Sequence, residues 1–305
     1  MNNREILRFA AVDIGSNAIR LLLCNVYEGG EEPLFKKAEL IRFPLRLGED
    51  AFLKGYIADD TISKLVKVMC AFRSLIDAYD VISYRICATS AMREAANRKE
   101  VIDRVFKESG LTIEVIDGRT EAEIIYSNHI AENLESNNSY LYIDVGGGST
   151  ELTLFSKGKF ISSGSYNIGT IRMLHDKVTR DQWRDFKDHV RKLAVGNQPM
   201  VAIGSGGNIN KIFKLANRKE NQVLSFAKLK EVYEYVSTFT LEQRITDLKL
   251  NPDRADVILP AFRVFIAVMK AAQIDGIRVP QVGLSDGIVH LLYERYKKQI
   301  LTGVF

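Results

Sequence analysis

Two stretches set the pattern of apolar and polar positions along the chain. "FAAVDIGSNAIRLLL" (Phe9 to Leu23) reads as an apolar strand, a polar glycine turn and a second apolar strand. "LYIDVGGGSTELTL" (Leu141 to Leu154) repeats the design. In each, an Asp closes the first strand, a Gly follows two positions later, and a charged residue stands seven after the Asp: Arg20 in one copy, Glu151 in the other. Apolar residues continue past both with short glycine turns, which predicts a β-meander in each half. Within 59–80, apolar side chains fall at 62, 65, 66, 69, 72, 75 and 76, the 3.6-residue period of an amphipathic helix. Strand "SYRICATS" then enters one helix, "AMREAANRKEVIDRVFKESG", closed by Gly110. Strand "LTIEVID" and helix "TEAEIIYSNHIAENLE" follow, running into polar "SNNS". The second half gives its meander, a helix around "DQWRDFKDHVRKLA", strand "MVAIG" and a glycine loop "SGGN" that opens another helix. Helix "ADVILPAFRVFIAVMKAAQID", short strand "IRVPQVGL" and terminal helix "DGIVHLLYERYKKQI" complete it. Strands alternating with helices in both halves predict α/β, each half a mixed sheet flanked by helices.

At 305 residues the chain is long enough for two domains, and the duplicated phrase places one in each half. The expected division is 1–125 plus 288–305, and 126–287. Composition is that of a globular protein, 46% apolar and 26% charged, with ample material for two cores. The most apolar stretch, "LPAFRVFIAVMKAA", is interrupted by Arg263 and Lys270, so no membrane span is expected. That stretch suits either burial in its own domain or a homodimer contact. The polar "MNNREILRFA" is not read as a signal peptide. Cys24, Cys70 and Cys87 lack metal or redox spacing, as reduced core residues of a cytoplasmic protein would. Four scattered histidines make no zinc set. The net charge of +4 is compatible with an anionic ligand and decides nothing alone.

The doubled phrase carries the chemistry. An Asp at a strand end before a glycine turn sets a carboxylate beside exposed backbone N–H groups, and such a nest suits phosphate. In "DVGGGST", Gly146, Gly147 and Gly148 clear the approach while Ser149 and Thr150 add hydroxyls; in "DIGSN", Ser16 and Asn17 do the same. A pair of tight hairpins would explain one copy alone; two copies in register, each with an Asp, favour phosphate. A third turn, Gly204, Gly206 and Gly207, opens a helix and adds donors at an N-terminus where the dipole favours anions. Thr89 or Ser90 would cap a helix with Arg93 in its first turn, where a cation opposes the dipole unless an anion lies beside it. Thr120 with Glu123 fits a capping box, which accounts for Glu123. Glu121 is either a dipole-favoured surface acid or a general base.

In this order, "AAVDIGSNAIRLLL", "LRLGE", "ATSAMREAANR", "GRTEAEIIY", "YIDVGGGSTEL", "NIGTIRM", "GSGGN" and "LSDG" resemble the exopolyphosphatase / guanosine pentaphosphate phosphohydrolase family. The resemblance runs from Ala10 to about Tyr293. It implies two tandem ribonuclease-H-like domains of the actin-like ATPase fold around an interdomain cleft, hydrolysing terminal phosphoanhydrides with Mg2+, or Mn2+ as the alternative. By motif, Glu121 resembles the catalytic base and Glu151 the acid that positions water and metal. Asp13 and Asp144 would stand near the metal with Glu151. Ser16, Asn17, Arg20, Arg93, Gly146, Gly147, Gly148, Ser149, Thr150, Gly206, Gly207 and Asn208 would bind phosphate. The implied substrate is inorganic polyphosphate or guanosine pentaphosphate, with no nucleic acid or membrane partner; a sensor with little turnover is the reading from another class. Departures from the family pattern are Thr120 where a second acid often precedes the base, "SGGN" for a Ser-Gly-Thr turn, and "IVHLL" after "LSDG" for Arg-x-Gly. Long members add C-terminal helical domains; a chain stopping at Phe305 is expected to prefer short polyphosphates.

Overall fold

Strand β1 (Ile6–Ile14) is buried on both faces, which is why its sequence is nearly continuous in apolar residues instead of alternating. In this computed structural model, which describes residues 6–30, 32–127, 138–217 and 222–302, β1 is the middle strand of the first of two sheets. A turn closed by the Gly15 N–H on Ala18 O (3.1 Å) sends the chain back as β2 (Ile19–Tyr27). β3 (Leu34–Phe43) forms the half-exposed edge, with a register shift at Leu23/Cys24. After helices α1 (Leu47–Lys54) and α2 (Asp59–Ala78), β4 (Ser83–Ala88) pairs parallel to β1 on its other side. β5 (Glu114–Val115) follows helices α3 (Ser90–Glu94) and α4 (Arg98–Ser109), giving the order β3-β2-β1-β4-β5.

The second sheet rewrites the first. β6 (Ser139–Val145), β7 (Thr150–Ser156) and β8 (Lys159–Tyr166) make the antiparallel meander, and β9 (Met200–Ser205) lies parallel to β6. With β10 (Leu224–Ser225) and β11 (Gly276–Arg278) the order is β8-β7-β6-β9-β11-β10, the earlier order with one strand added. By internal packing the chain divides into two compact units, Met1–Asn128 with Leu284–Phe305, and His129–Gly283. Helix α5 (Gly118–Tyr126) belongs to the first; α6 (Thr170–Leu174), α7 (Arg180–Ala194), α8 (Gly206–Leu215), α9 (Phe226–Ser237), α10 (Leu241–Thr246), α11 (Pro252–Ala255) and α12 (Ile258–Ala271) belong to the second. α13 (Leu284–Thr302) returns to the first and packs on β1, stacking His290 on Phe35 at 3.8 Å.

Several elements depart from the sequence pattern. The helix expected from Ala91 to Gly110 is two helices. Asn97 interrupts it, giving its amide N–H to Ile57 O and accepting from Ile57 N, both at 2.9 Å. In α2 six of the seven periodic apolar positions are buried; Leu75 is 38% exposed, and Val68 on the same flank of the helix is buried in its place. The apolar residues of α12 are buried in their own unit's core, so its apolar circumference needs no second copy; Pro260 falls in its first turn, where its missing N–H costs nothing. Cys24 and Cys87 are buried free thiols, both pushed up to about 12, chiefly by burial. Among the described residues no helix is long and apolar enough to cross a membrane. Of the helix expected at 120–135, the part to Tyr126 is present with Ser127 as its C-cap, and 128–135 lie outside the described residues.

The contrast between Leu65 and Leu75 has a measurable consequence. Leu65→Ala should cost about 2–5 kcal/mol, and Leu75→Ala should stay within about 0.5 kcal/mol, as read from denaturant midpoints at equal m-value.

Candidate phosphate-binding and catalytic site

In the first unit, the C-terminal ends of parallel strands β1 and β4 lie side by side, with Asp13 level with Cys87 and Thr89 N–H donating to Ile14 O (3.2 Å). Strand ends of this kind, where loops leave a parallel sheet, are where α/β folds bind ligands. β1 delivers Asp13 and the Gly15–Asn17 turn; β4 delivers Ser90, whose hydroxyl meets that of Ser16 at 2.9 Å. Arg20 stands directly opposite Asp13 in the β1–β2 register, and its guanidinium is ion-paired to that carboxylate. The turn is tied down by the segment before α1: Arg46 N–H donates to Asn17 O (3.2 Å) and Gly48 N–H to Ser16 O (2.8 Å). This is the structural use of "LRLGE".

Glu121 arrives from α5. The Asp117 carboxylate caps that helix by accepting Thr120 N–H at 2.7 Å, so Thr120 is not the cap and the expected box with Glu123 does not form. Glu123 instead pairs with Arg119 on the exposed face (3.0 Å). Glu121 is 9% exposed, 3.9 Å from Arg93. Arg93 in turn donates to Ile116 O (2.7 Å). α3 is a short helix with Arg93 near its end and no side-chain cap, so the expected conflict with a helix dipole does not arise. Burial raises the Cys87 thiol first, Arg85 opposes, and Glu114, Asp13 and Glu121 each add to the rise, which locates Asp13 and Glu121 in one neighbourhood. α5 is seated against α13 backbone to backbone: a Cβ on Gly287 would stand 1.9 Å from Ile124 O, and Ser127 Oγ donates to Gly287 O at 3.1 Å. This is what "LSDG" does here, while Asp286 pairs with Lys37 (2.7 Å).

The second unit repeats the geometry with other chemistry. Asp144 is level with Ser205 of parallel β9 and directly opposite Glu151 of β7. Glu151 Oε1 accepts from Ser149 Oγ (2.6 Å) and Ser165 Oγ (2.9 Å). The Gly146–Ser149 turn closes with Gly146 N–H on Ser149 O (2.9 Å). Its carbonyls are taken by α6: Thr170 N–H donates to Gly146 O (3.0 Å), Ile171 N–H to Gly147 O (2.8 Å) and Arg172 Nε–H to Gly148 O (2.6 Å). Gly169 permits this, since a Cβ there would lie 2.3 Å from Gly147 O. Thr150 is fully buried and its hydroxyl donates to Ile168 O, Ser149 serves Glu151, and the Asn208 amide donates to Val145 O (3.0 Å). These three side chains, expected to meet phosphate, each make a hydrogen bond within the loop's own framework.

The third glycine turn opens α8. Gly206 adopts φ +87°, and a Cβ on Gly207 would lie 2.5 Å from the guanidinium of Arg254. Arg254, from α11, is thus set against this turn, and no local pattern in the sequence marked it. The Lys211 ammonium is held below its usual range, first by burial and then by Lys214 and Arg254, so this corner is electropositive. Ser205 Oγ, buried at the same strand end, has no hydrogen-bond partner among the described residues. No set of three or more His, Cys, Asp or Glu gathers as a metal cage among those residues. The Asp144–Glu151 pair still offers hard oxygens on one face, and Mg2+ is commonly held by one or two carboxylates together with water and substrate phosphate.

Two mixed sheets of nearly the same order, each with an aspartate and a glycine turn at the strand ends, define an α/β protein of the actin-like fold. The profile of the Ppx/GppA phosphatase family matches residues 34–295, and the chain belongs to that family. It is 29% identical over 275 residues to the bifunctional 3-dehydroquinate synthase/phosphatase of Fusobacterium nucleatum, covering 82% of this chain but 41% of that protein's length. It is 26% identical to exopolyphosphatase 2 of Mycobacterium tuberculosis, covering 93% of this chain and 98% of the relative. In fold it matches the crystal structure of an exopolyphosphatase from Cytophaga hutchinsonii with a TM-score of 0.82, at 22% identity over 94% of this chain and 98% of that one.

Two outcomes follow. Gly169→Ala, forcing a methyl onto the loop backbone, should cost about 1–3 kcal/mol and weaken tripolyphosphate binding roughly tenfold, as read by calorimetric titration with unchanged far-UV circular dichroism. For Asp117, hydrogen bonds from Thr120 hold the carboxylate below its usual range. A depressed folded-state pKa gives stability that is present above the ordinary aspartate value and lost as pH falls through the lowered one. Asp117→Ala should therefore melt below wild type at pH 7, the gap closing as pH falls below ~3.9.

Proposed function

We propose that the chain is an exopolyphosphatase, releasing terminal orthophosphate from inorganic polyphosphate by water attack on the terminal phosphoanhydride. The observation that carries the reading is the pair of in-register hairpins, whose loop carbonyls are tied back so that N–H groups remain for phosphate oxygens. Glu121 is the general base: a nearly buried carboxylate 3.9 Å from Arg93, in the first turn of a helix, it takes the proton of the attacking water. Arg20, Arg93 and Arg254 supply positive charge for the phosphate oxygens, and backbone donors stabilise the charge developing in the transition state. Asp144 and Glu151 would hold Mg2+, which when bound neutralises phosphate charge and orients water. Ser149 and Ser165 keep Glu151 aimed by donating to one of its oxygens.

Glu121→Gln should lower kcat by about 10²–10⁴-fold with KM little changed and the fold intact. Wild-type orthophosphate release from that variant removes the mechanism. Guanosine pentaphosphate is a second substrate of the same chemistry, and its hydrolysis measured beside short-chain polyphosphate, with and without divalent ion, decides between them. Tight binding of both without turnover would favour the sensor.

A further inference from the structure

The second unit carries a cavity of about 620 Å3 that belongs to neither glycine-loop set. Its place follows from topology. β6 and β9 run parallel, and the loops at Gly146 and Gly206 leave their C-terminal ends. The cavity lies at the other end, bounded by the second half of α7, the end of α12 and Gln198, just before β9 begins. Six residues of β9, at ~3.3 Å each, put roughly 20 Å of sheet between cavity and loops.

Lys187, Arg191 and Lys270 line its rim, alanines 194, 267 and 271 its floor, and no carboxylate lines it. Arg191 is paired with Asp188. Lys187 and Lys270 have no acidic partner among the described residues. Cations at helix C-termini are ordinarily explained by the helix dipole, and that covers Arg191 and Lys270. It does not cover Lys187, which stands about two turns before the end of α7, beyond the dipole's last-turn reach. Two lysines without an acidic partner, beside a third cation held by Asp188, give the concavity a positive excess that raises the local concentration of anions. The alanine floor leaves apolar space that longer side chains would fill, and the volume lies within the usual range for small-molecule sites.

We propose that this cavity binds a phosphate ester with an apolar, planar body, a nucleoside di- or triphosphate being the class that fits. The phosphates meet Lys187, Arg191 and Lys270, and the body rests on the alanines. The site is independent of the hydrolytic reading, because none of its residues serves either glycine-loop set.

The test is calorimetric titration of ATP and of inorganic tripolyphosphate into wild type and a Lys187→Glu/Lys270→Glu variant. The variant should lose one class of ATP site, weakened at least tenfold, while its basal orthophosphate release equals wild type. Photo-crosslinking with azido-ATP should label 187–198 or 267–273. Should the double variant fail to fold, Ala267→Leu fills the floor without touching charge and should weaken ATP in the same way. An unchanged ATP titration in either folded variant, or labelling confined to the glycine loops, overturns the site. Tripolyphosphate binding the cavity as tightly as ATP overturns the role of the apolar floor.

Discussion

A peptide unit carries its donor and its acceptor on opposite sides, so a loop that offers N–H groups to a ligand must place its carbonyls on partners behind it. This chain meets that demand twice, with unrelated segments. In the first unit the stretch entering α1 supplies backbone N–H groups to Ser16 and Asn17 carbonyls. In the second the start of α6 supplies them to Gly146 and Gly147. Each turn is also closed by its own first glycine, on Ala18 O or Ser149 O. Because the ties are backbone to backbone, side-chain identity matters little except where chains touch, and Gly169 is such a place.

With the loops fixed alike, the residue facing each aspartate across its hairpin decides what the strand end can do. Arg20 neutralises Asp13 and forms a partly exposed ion pair. Glu151 faces Asp144 with the same sign, a cross-strand arrangement that is destabilising by itself. Two hydroxyls turned onto one oxygen of Glu151 offset part of that cost. A local rule broken in one copy and kept in the other marks the place where the two halves have taken different work.

The hairpins and their register were legible because period and glycine placement constrain them, and register is what carries the duplicated aspartates to matching positions. Capping was not legible from the T-x-x-E pattern at Thr120: Asp117, three residues earlier, is the stronger N-cap and took the position. Real boxes formed at Thr179–Gln182 and Thr240–Gln243. The break at Asn97 depends on Ile57, and Arg254 reaches Gly207 from a helix remote in sequence, so neither leaves a local trace. The hydrogen bonds that Ser149, Thr150 and Asn208 make within the loop were not legible either, since composition does not say which acceptor a hydroxyl or amide will find first.

The return of α13 to the first unit has a consequence for how Glu121 is held. Asp117 fixes the start of α5, and Gly287 fixes its far half by letting two backbones touch at Ile124. α13 is itself anchored by Glu28, which accepts from Tyr293 and Lys297 at 2.8 Å each, and by Lys37 on Asp286. Glu28 and Lys37 flank the β2–β3 connection of the same meander that carries Asp13 and Arg20. The position of the proposed base is therefore set by chain segments from both ends of the sequence, all referred to one sheet. A contiguous fragment ending before Leu284 would keep every residue assigned to the glycine turns, yet it would lose the support that keeps Glu121 in place on the first sheet.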